Sequence, residues 1–208
     1  MADDRALIVV DVQNDFCPGG ALAVAEGDLV VAAINRVAGG FPVKVLTQDW
    51  HPPHHRSFAA NHPDAEPFSS VEMHYGPQVL WPVHCVQGSA GAAFHPDLET
   101  DAADLILRKG FRAGIDSYSA LFENDRKTPT GLAGYLRERG VRRLWLAGLA
   151  TDFCVAYSAI DAAGAGFEVT VFEDATRAID LDGSLAAAMR EMAGRGVGFS
   201  RAEEIPAG

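Results

Sequence analysis

Short runs of apolar, β-branched residues alternate along the chain with stretches in which apolar positions recur at helical spacing. Residues 6–10 (Ala-Leu-Ile-Val-Val) form a continuous apolar run that stops abruptly at Asp11, the pattern of a parallel strand buried on both faces. Turn chemistry follows at Cys17-Pro-Gly-Gly20. Leu29, Val30, Ala33, Ile34 and Val37 then mark a helix that Gly39 and Gly40 end. Further strands are predicted over 42–47, 105–107, 144–148 and 167–172, with a short edge strand at 197–199. Helices over 130–140, 153–160 and 184–193 fill the intervals. This alternation predicts an α/β fold, a doubly wound, mostly parallel six-stranded sheet flanked by helices, in a single domain spanning 1–208. Residues 50–104 break the pattern, being Pro-rich and short of apolar periodicity. So long a connection reads as a functional insertion.

Ligands of doubly wound sheets collect beyond the carboxyl ends of the strands, and four chemically capable side chains fall there: Asp11, Asp49, Lys109 and, just past its strand, Cys154. The stretch from Arg143 to Val155 reads as strand, tight turn and reactive thiol. Thr151 or Asp152 is expected to cap the following helix, which would set the Cys154 sulfur at the positive end of the helix dipole and ease its ionisation. A single cysteine is more often a packing residue. Its partners change the balance, because the Asp11 carboxylate can take the thiol proton while the Lys109 ammonium keeps that carboxylate ionised. Cys17 and Cys85 lack this placement and read as structural.

All seven histidines lie in the insertion: His51, His54, His55, His62, His74, His84 and His95. Asp49-Trp-His51 sets a carboxylate and an imidazole at i and i+2, on one face if the segment is extended. Trp81-Pro-Val-His84 offers a third donor, giving the two-histidine, one-carboxylate set that suits Zn²⁺, Mn²⁺ or Fe²⁺ and leaves positions open. His54, His55, His62 and His74 are expected to face solvent. Phe16 and Trp81, beside these segments, suit the walls of a slot for a flat ring.

Composition narrows the field of partners. Seventeen basic against 28 acidic side chains give a net charge of −11, without the Lys/Arg cluster that a nucleic acid or an acidic membrane surface would require. Three widely spaced cysteines fit reduced thiols better than a disulfide framework. The opening Met-Ala-Asp-Asp-Arg is acidic, and residues 6–10 are too short for a signal or a span, so a cytoplasmic location is expected. Besides a metal-assisted cysteine hydrolase, two readings remain open: direct metal-water hydrolysis with Cys154 inert, and a ligand-binding domain.

Six motifs together resemble the nicotinamidase/pyrazinamidase family of the isochorismatase-like cysteine hydrolases. They are Val9-Val-Asp-Val-Gln-Asn-Asp-Phe-Cys-Pro-Gly-Gly20, Thr47-Gln-Asp-Trp-His51, Trp81-Pro-Val-His-Cys85, Lys109-Gly110, Asp116-Ser-Tyr-Ser-Ala120 and Gly148-Leu-Ala-Thr-Asp-Phe-Cys-Val155. The resemblance covers nearly the whole chain in order, and the Asp-Trp-His and Trp-Pro-x-His pair is its most specific part. It implies a triad of Asp11 as base, Lys109 as its charge partner and Cys154 as nucleophile, with Asp49, His51 and His84 as ligands to one divalent ion, zinc before manganese or iron. It further implies substrate contacts from Phe16, Trp81 and Leu149, a cis Leu149-Ala150 peptide, and an oxyanion hole from the Ala150 and Cys154 N–H groups. The expected reaction is deamidation of nicotinamide to nicotinate and ammonia within NAD salvage, with pyrazinamide as a surrogate. On the same resemblance, the alternative is a metal-free cysteine amidase of the same superfamily acting on another small amide. The resemblance leaves a homo-oligomer open. One departure stands out: some relatives carry a further histidine ligand where this chain has Ser57.

Overall fold

The protein is described here by a computed structural model covering residues 3–205; the ends of the expected 1–208 domain lie outside the described residues. Among the described residues, eight strands run in the order β1 (Arg5–Val10), β2 (Val43–Asp49), β3 (Ser70–Met73), β4 (Gly76–Val79), β5 (Leu105–Lys109), β6 (Arg143–Leu149), β7 (Glu168–Arg177) and β8 (Gly198–Ser200). The helices are α1 (Val30–Ala38), α2 (Leu132–Glu138), α3 (Ala156–Gly164) and α4 (Ser184–Gly194). Six strands form one sheet in the order β5-β2-β1-β6-β7-β8. Every pairing in it is parallel, so the sheet is wholly rather than mostly parallel.

The central strands are buried because helices cover the sheet, and their sequences match: Ala6 to Val10 and Leu144, Leu146 and Ala147 are all in the core. Edge strand β5 instead alternates, with Lys109 fully buried and Ile106 48% exposed. Successive strands run outward from β1 through β2 to β5, and from β6 through β7 to β8. The direction of winding therefore reverses between β1 and β6, the switch point where such sheets open a crevice. Gly148 makes this junction feasible. At φ +113°, a Cβ there would lie 2.1 Å from the Val10 carbonyl oxygen, so glycine alone lets β6 approach β1.

The insertion is tied down rather than loose. Antiparallel β3 and β4 form a separate hairpin that the sequence pattern had not suggested. The backbone N–H of His51 donates to Cys85 O at 3.0 Å and that of Trp81 to Ser57 O at 2.7 Å, which draws the second half of the insertion onto the first. Asp15 fastens a third segment, its carboxylate accepting from the Cys85 N–H at 2.7 Å. Among the described residues, no helix is long and apolar enough to cross a membrane.

Candidate active site

Asp11 and Lys109 meet across the carboxyl ends of β1 and β5, which β2 separates. Asp11 is the first residue past β1 and takes a left-handed conformation, φ 49°, uncommon for a residue other than glycine. Thr47 on β2 holds it there, donating to Asp11 Oδ1 at 2.6 Å and accepting from the Asp11 N–H at 3.2 Å. The register pairs Asp49 with Lys109. Lys109 Nζ thus lies 2.7 Å from Asp11 Oδ2, 2.5 Å from Asp49 Oδ1, 2.8 Å from Ser117 O and 3.4 Å from Cys154 Sγ. Gln13 fixes Asp49 by its backbone, accepting from the Asp49 N–H at 2.8 Å and donating to its carbonyl at 2.9 Å.

Cys154 reaches this group from a π-helical turn, Thr151–Val155, between β6 and α3. The Leu149-Ala150 peptide is cis, and the Ala150 carbonyl accepts from the N–H groups of both Phe153 and Val155. Neither Thr151 nor Asp152 caps the turn. The Asp152 carboxylate instead reaches forward in sequence to the Ile179 and Asp180 N–H groups at 3.0 and 2.8 Å and the Ser184 hydroxyl at 2.5 Å, pinning the segment that carries Ile179 onto the cleft. A local cap was expected, but these long-range donors satisfy the carboxylate better.

Burial sets the protonation of the group, with the charges working against it or alongside it. Burial pushes Asp11 up to about 6 despite the Lys109 ammonium. Burial acts upward on Asp49 too, but Lys109 and His51 outweigh it and hold this carboxyl well below the usual range. For Lys109, burial is overcome by the two carboxylates, which raise it. Cys154 differs from expectation: burial, helped by Asp11 and Asp49 and opposed by Lys109, pushes its thiol well above the usual value. The resting group is a neutral thiol beside a base, because desolvation outweighs the start of a helical turn.

Asp49, His51 and His84, all buried, bring one donor atom each within 4.8 Å of one another. The donor chemistry fits a divalent ion. His51 Nδ1 donates to Gly110 O and His84 Nδ1 to Pro82 O, each at 2.8 Å, which leaves the Nε2 of each ring for the Asp49 side. Burial works against a charged His51, but Asp49, 3.6 Å away, outweighs it and raises the pKa of this ring. An ion bound there would take the place of the Nε2 proton. Burial and the neighbouring His51 lower His84 to about 4, keeping it neutral. Two carboxylates sharing one ammonium also leave a negative charge for a cation to offset. Gly110 is required at this point, since a Cβ there would sit 2.4 Å from His51 Cε1.

His55 was expected in solvent but is fully buried, its ring 4.3 Å from that of His51. Its Nδ1 faces two donors, the Ser57 hydroxyl at 2.7 Å and the Ser57 N–H at 3.2 Å, so the proton sits on Nε2, directed at Ile115 O at 3.3 Å. Ser57 is thereby engaged with His55. His54 and His74 are exposed and His62 half-buried, and Cys17 and Cys85 are buried free thiols.

Phe16, Trp81, Phe153 and Tyr118 wall a cleft that has Cys154, Ala150, Asp49, His51 and His84 on its surface, with Leu22 and Ile179 also facing it. Leu149 stands next to Ala150 at the end of β6. That side chain is fully buried and packs against Gly27, because Leu149 still belongs to β6 and faces the core. Tyr118 and Phe153 went unassigned in the sequence, although Phe153 adjoins Cys154 and Tyr118 stands in the Asp116–Ala120 motif.

The isochorismatase domain matches residues 5–204. The chain belongs to the isochorismatase family. Within the family it is 56% identical over 196 residues to a nicotinamidase of Acinetobacter baylyi, covering 94% of this chain and 92% of that one. A solved Acinetobacter baumanii nicotinamidase/pyrazinamidase superimposes with a TM-score of 0.96 at 55% identity, covering 97% of each chain. A pyrazinamidase of Pyrococcus horikoshii solved in complex with zinc gives a TM-score of 0.76 at 37% identity, over 96% of this chain and 99% of that one. The nicotinamidase resemblance of the six motifs is thus borne out by relatives that match almost end to end.

Proposed function

We propose that this protein is a nicotinamidase that hydrolyses nicotinamide to nicotinate and ammonia through a thioester on Cys154, and that pyrazinamide is a second substrate. The observation that carries the reading is the buried set of Asp11, Lys109 and Cys154, of which Cys154 faces an aromatic cleft beside three converging metal donors. The relatives' names support the substrate.

In this reading Asp11, with its raised affinity for a proton, accepts the Cys154 proton as the sulfur bonds to the carboxamide carbon. Lys109 holds the two carboxylates in place and balances their charge. The oxyanion is held by the N–H groups of Ala150 and Cys154, each donor contributing about 3 kcal/mol in comparable sites. Asp11 then returns the proton to nitrogen as the C–N bond breaks and ammonia leaves. Water attacks the thioester with Asp11 again as base, giving nicotinate and the free thiol. Phe16 and Trp81 hold the ring between them. Asp49, His51 and His84 would hold one divalent ion, zinc by preference for two imidazoles and a carboxylate, with manganese and iron as alternatives. Such an ion, when bound, supplies a Lewis-acidic contact for the pyridine nitrogen. The whole chain acts as one catalytic domain whose insertion over 50–104 builds the metal side of the cleft.

The donor set favours this reading over a metal-free cysteine amidase of the same family. Purified protein is incubated with nicotinamide, with and without prior chelation, and nicotinate is followed by chromatography. Formation of nicotinate that chelation suppresses is expected; full activity in the chelated protein would favour the metal-free amidase, and no nicotinate at all would overturn the substrate.

A further inference from the structure

Behind the Trp81 wall of the cleft lies a buried polar network that the proposed chemistry does not use. Its centre is Gln78, on β4 of the hairpin, 1% exposed on a strand whose neighbours Pro77 and Val79 are more open. The Gln78 carbonyl oxygen accepts from the Tyr75 hydroxyl at 3.0 Å and from Asn124 Nδ2 at 3.1 Å, which fixes the direction of the amide. Its Nε2 therefore points the other way, to the Tyr118 hydroxyl at 2.8 Å and Asp116 Oδ2 at 2.9 Å. The Tyr118 oxygen also accepts from Trp81 Nε1 at 3.0 Å. Asn124 completes the frame, accepting from the Tyr118 N–H at 2.9 Å. Trp81 is held on its other side by an edge-to-face contact with Phe153, centroids 4.9 Å apart, next to the nucleophile.

An indole in a cleft wall can tilt about its side-chain bonds, and here its N–H is the one polar handle that resists the tilt. We propose that Gln78 is a positioning residue for the substrate ring: through the Tyr118 hydroxyl it sets the plane of Trp81 and hence the width of the slot opposite Phe16. The hairpin would then govern which flat rings the enzyme accepts without touching them. This rests on the nicotinamidase reading for its substrate, whereas the orientation of Trp81 is measurable without one.

The test uses Gln78→Leu, Tyr118→Phe and the double variant in the full-length, metal-loaded enzyme. Breaking the relay from Gln78 through the Tyr118 hydroxyl to Trp81 predicts KM for nicotinamide higher by about tenfold, with kcat within about twofold. The double variant should resemble the single ones, because both cut one relay. In the ligand-free protein, Gln78→Leu should alter tryptophan emission, and the alteration should vanish in a Trp81→Phe background. An unchanged emission and KM, or additive losses of kcat with KM constant, would overturn the proposal. If the wild type fails to hydrolyse nicotinamide while the emission difference is present, the substrate reading fails and the positioning stands.

Discussion

Asp11 controls the pH behaviour expected of this site. Burial raises its pKa from 3.8 to about 6, and it must be ionised to accept the thiol proton. With that group alone limiting, kcat/KM for nicotinamide should fall about tenfold per pH unit below about 6, measured with buffers of constant ionic strength. A flat profile down to pH 4.5 would remove Asp11 as the base. The effect on folding has the opposite sense. A carboxyl whose folded pKa exceeds its unfolded one binds its proton more tightly in the folded state. Its contribution therefore lowers stability as pH rises from 3.8 to about 6. Asp11→Asn keeps the shape but not the base, and should cut kcat by at least about 10³-fold while nicotinamide still binds. Isothermal titration with the variant separates the two effects. At this scale the sequence was partly legible. Asp11, Asp49 and Lys109 stand out because each lies at or just beyond the carboxyl end of a predicted strand. The buried state of His55 and the high pKa of Cys154 were not legible, since both arise from packing between segments distant in the chain.

Among the elements, the close approach of β1 and β6 supports the site from below. Gly148 has no room for a Cβ against Val10 and sits at φ +113°. Gly148→Ala should therefore lower stability by about 3 kcal/mol, read from urea denaturation, with Gly134→Ala, on the open surface of α2, as a near-neutral control. An unchanged midpoint for Gly148→Ala would contradict the packing described. Strands buried on both faces announce themselves as continuous apolar runs, as β1 and β6 do, whereas β7 was marked by the alternation Phe-Glu-Val-Thr-Val-Phe over 167–172. The β3–β4 hairpin was hidden because its strands alternate weakly and Gly76 and Pro77, turn residues by type, lie inside β4, and Gln78 looks like any polar surface residue until the hairpin folds over it. Asp152 was read as a local cap because the sequence does not reveal that its carboxylate reaches Ile179, Asp180 and Ser184.

For the whole molecule, the insertion and the sheet are joined through the proposed metal donors, Asp49 at the end of β2 and His51 and His84 from the insertion. A bound ion should stabilise the fold as well as the site. At a free zinc concentration 100-fold above its dissociation constant the gain is about 2.7 kcal/mol, or about 5–10 °C in thermal midpoint for a chain of this size. Dialysis against chelator should lower the midpoint by this amount and suppress nicotinamide hydrolysis, and added zinc should restore both; His84→Ala should abolish the thermal response. A midpoint indifferent to zinc would argue that the three donors hold no ion. The overall architecture was legible because alternating strands and helices leave few topologies, while the folding of the insertion onto the sheet depends on isolated backbone contacts such as His51 N–H to Cys85 O that no periodicity signals.

The covalent step is tested most directly by quenching the enzyme in acid during nicotinamide turnover and measuring intact and peptide masses. One nicotinoyl group on the peptide containing Cys154 is predicted, with neither adduct nor ammonia release from Cys154→Ala. Ammonia release by Cys154→Ala at a rate near that of the wild type would contradict the account.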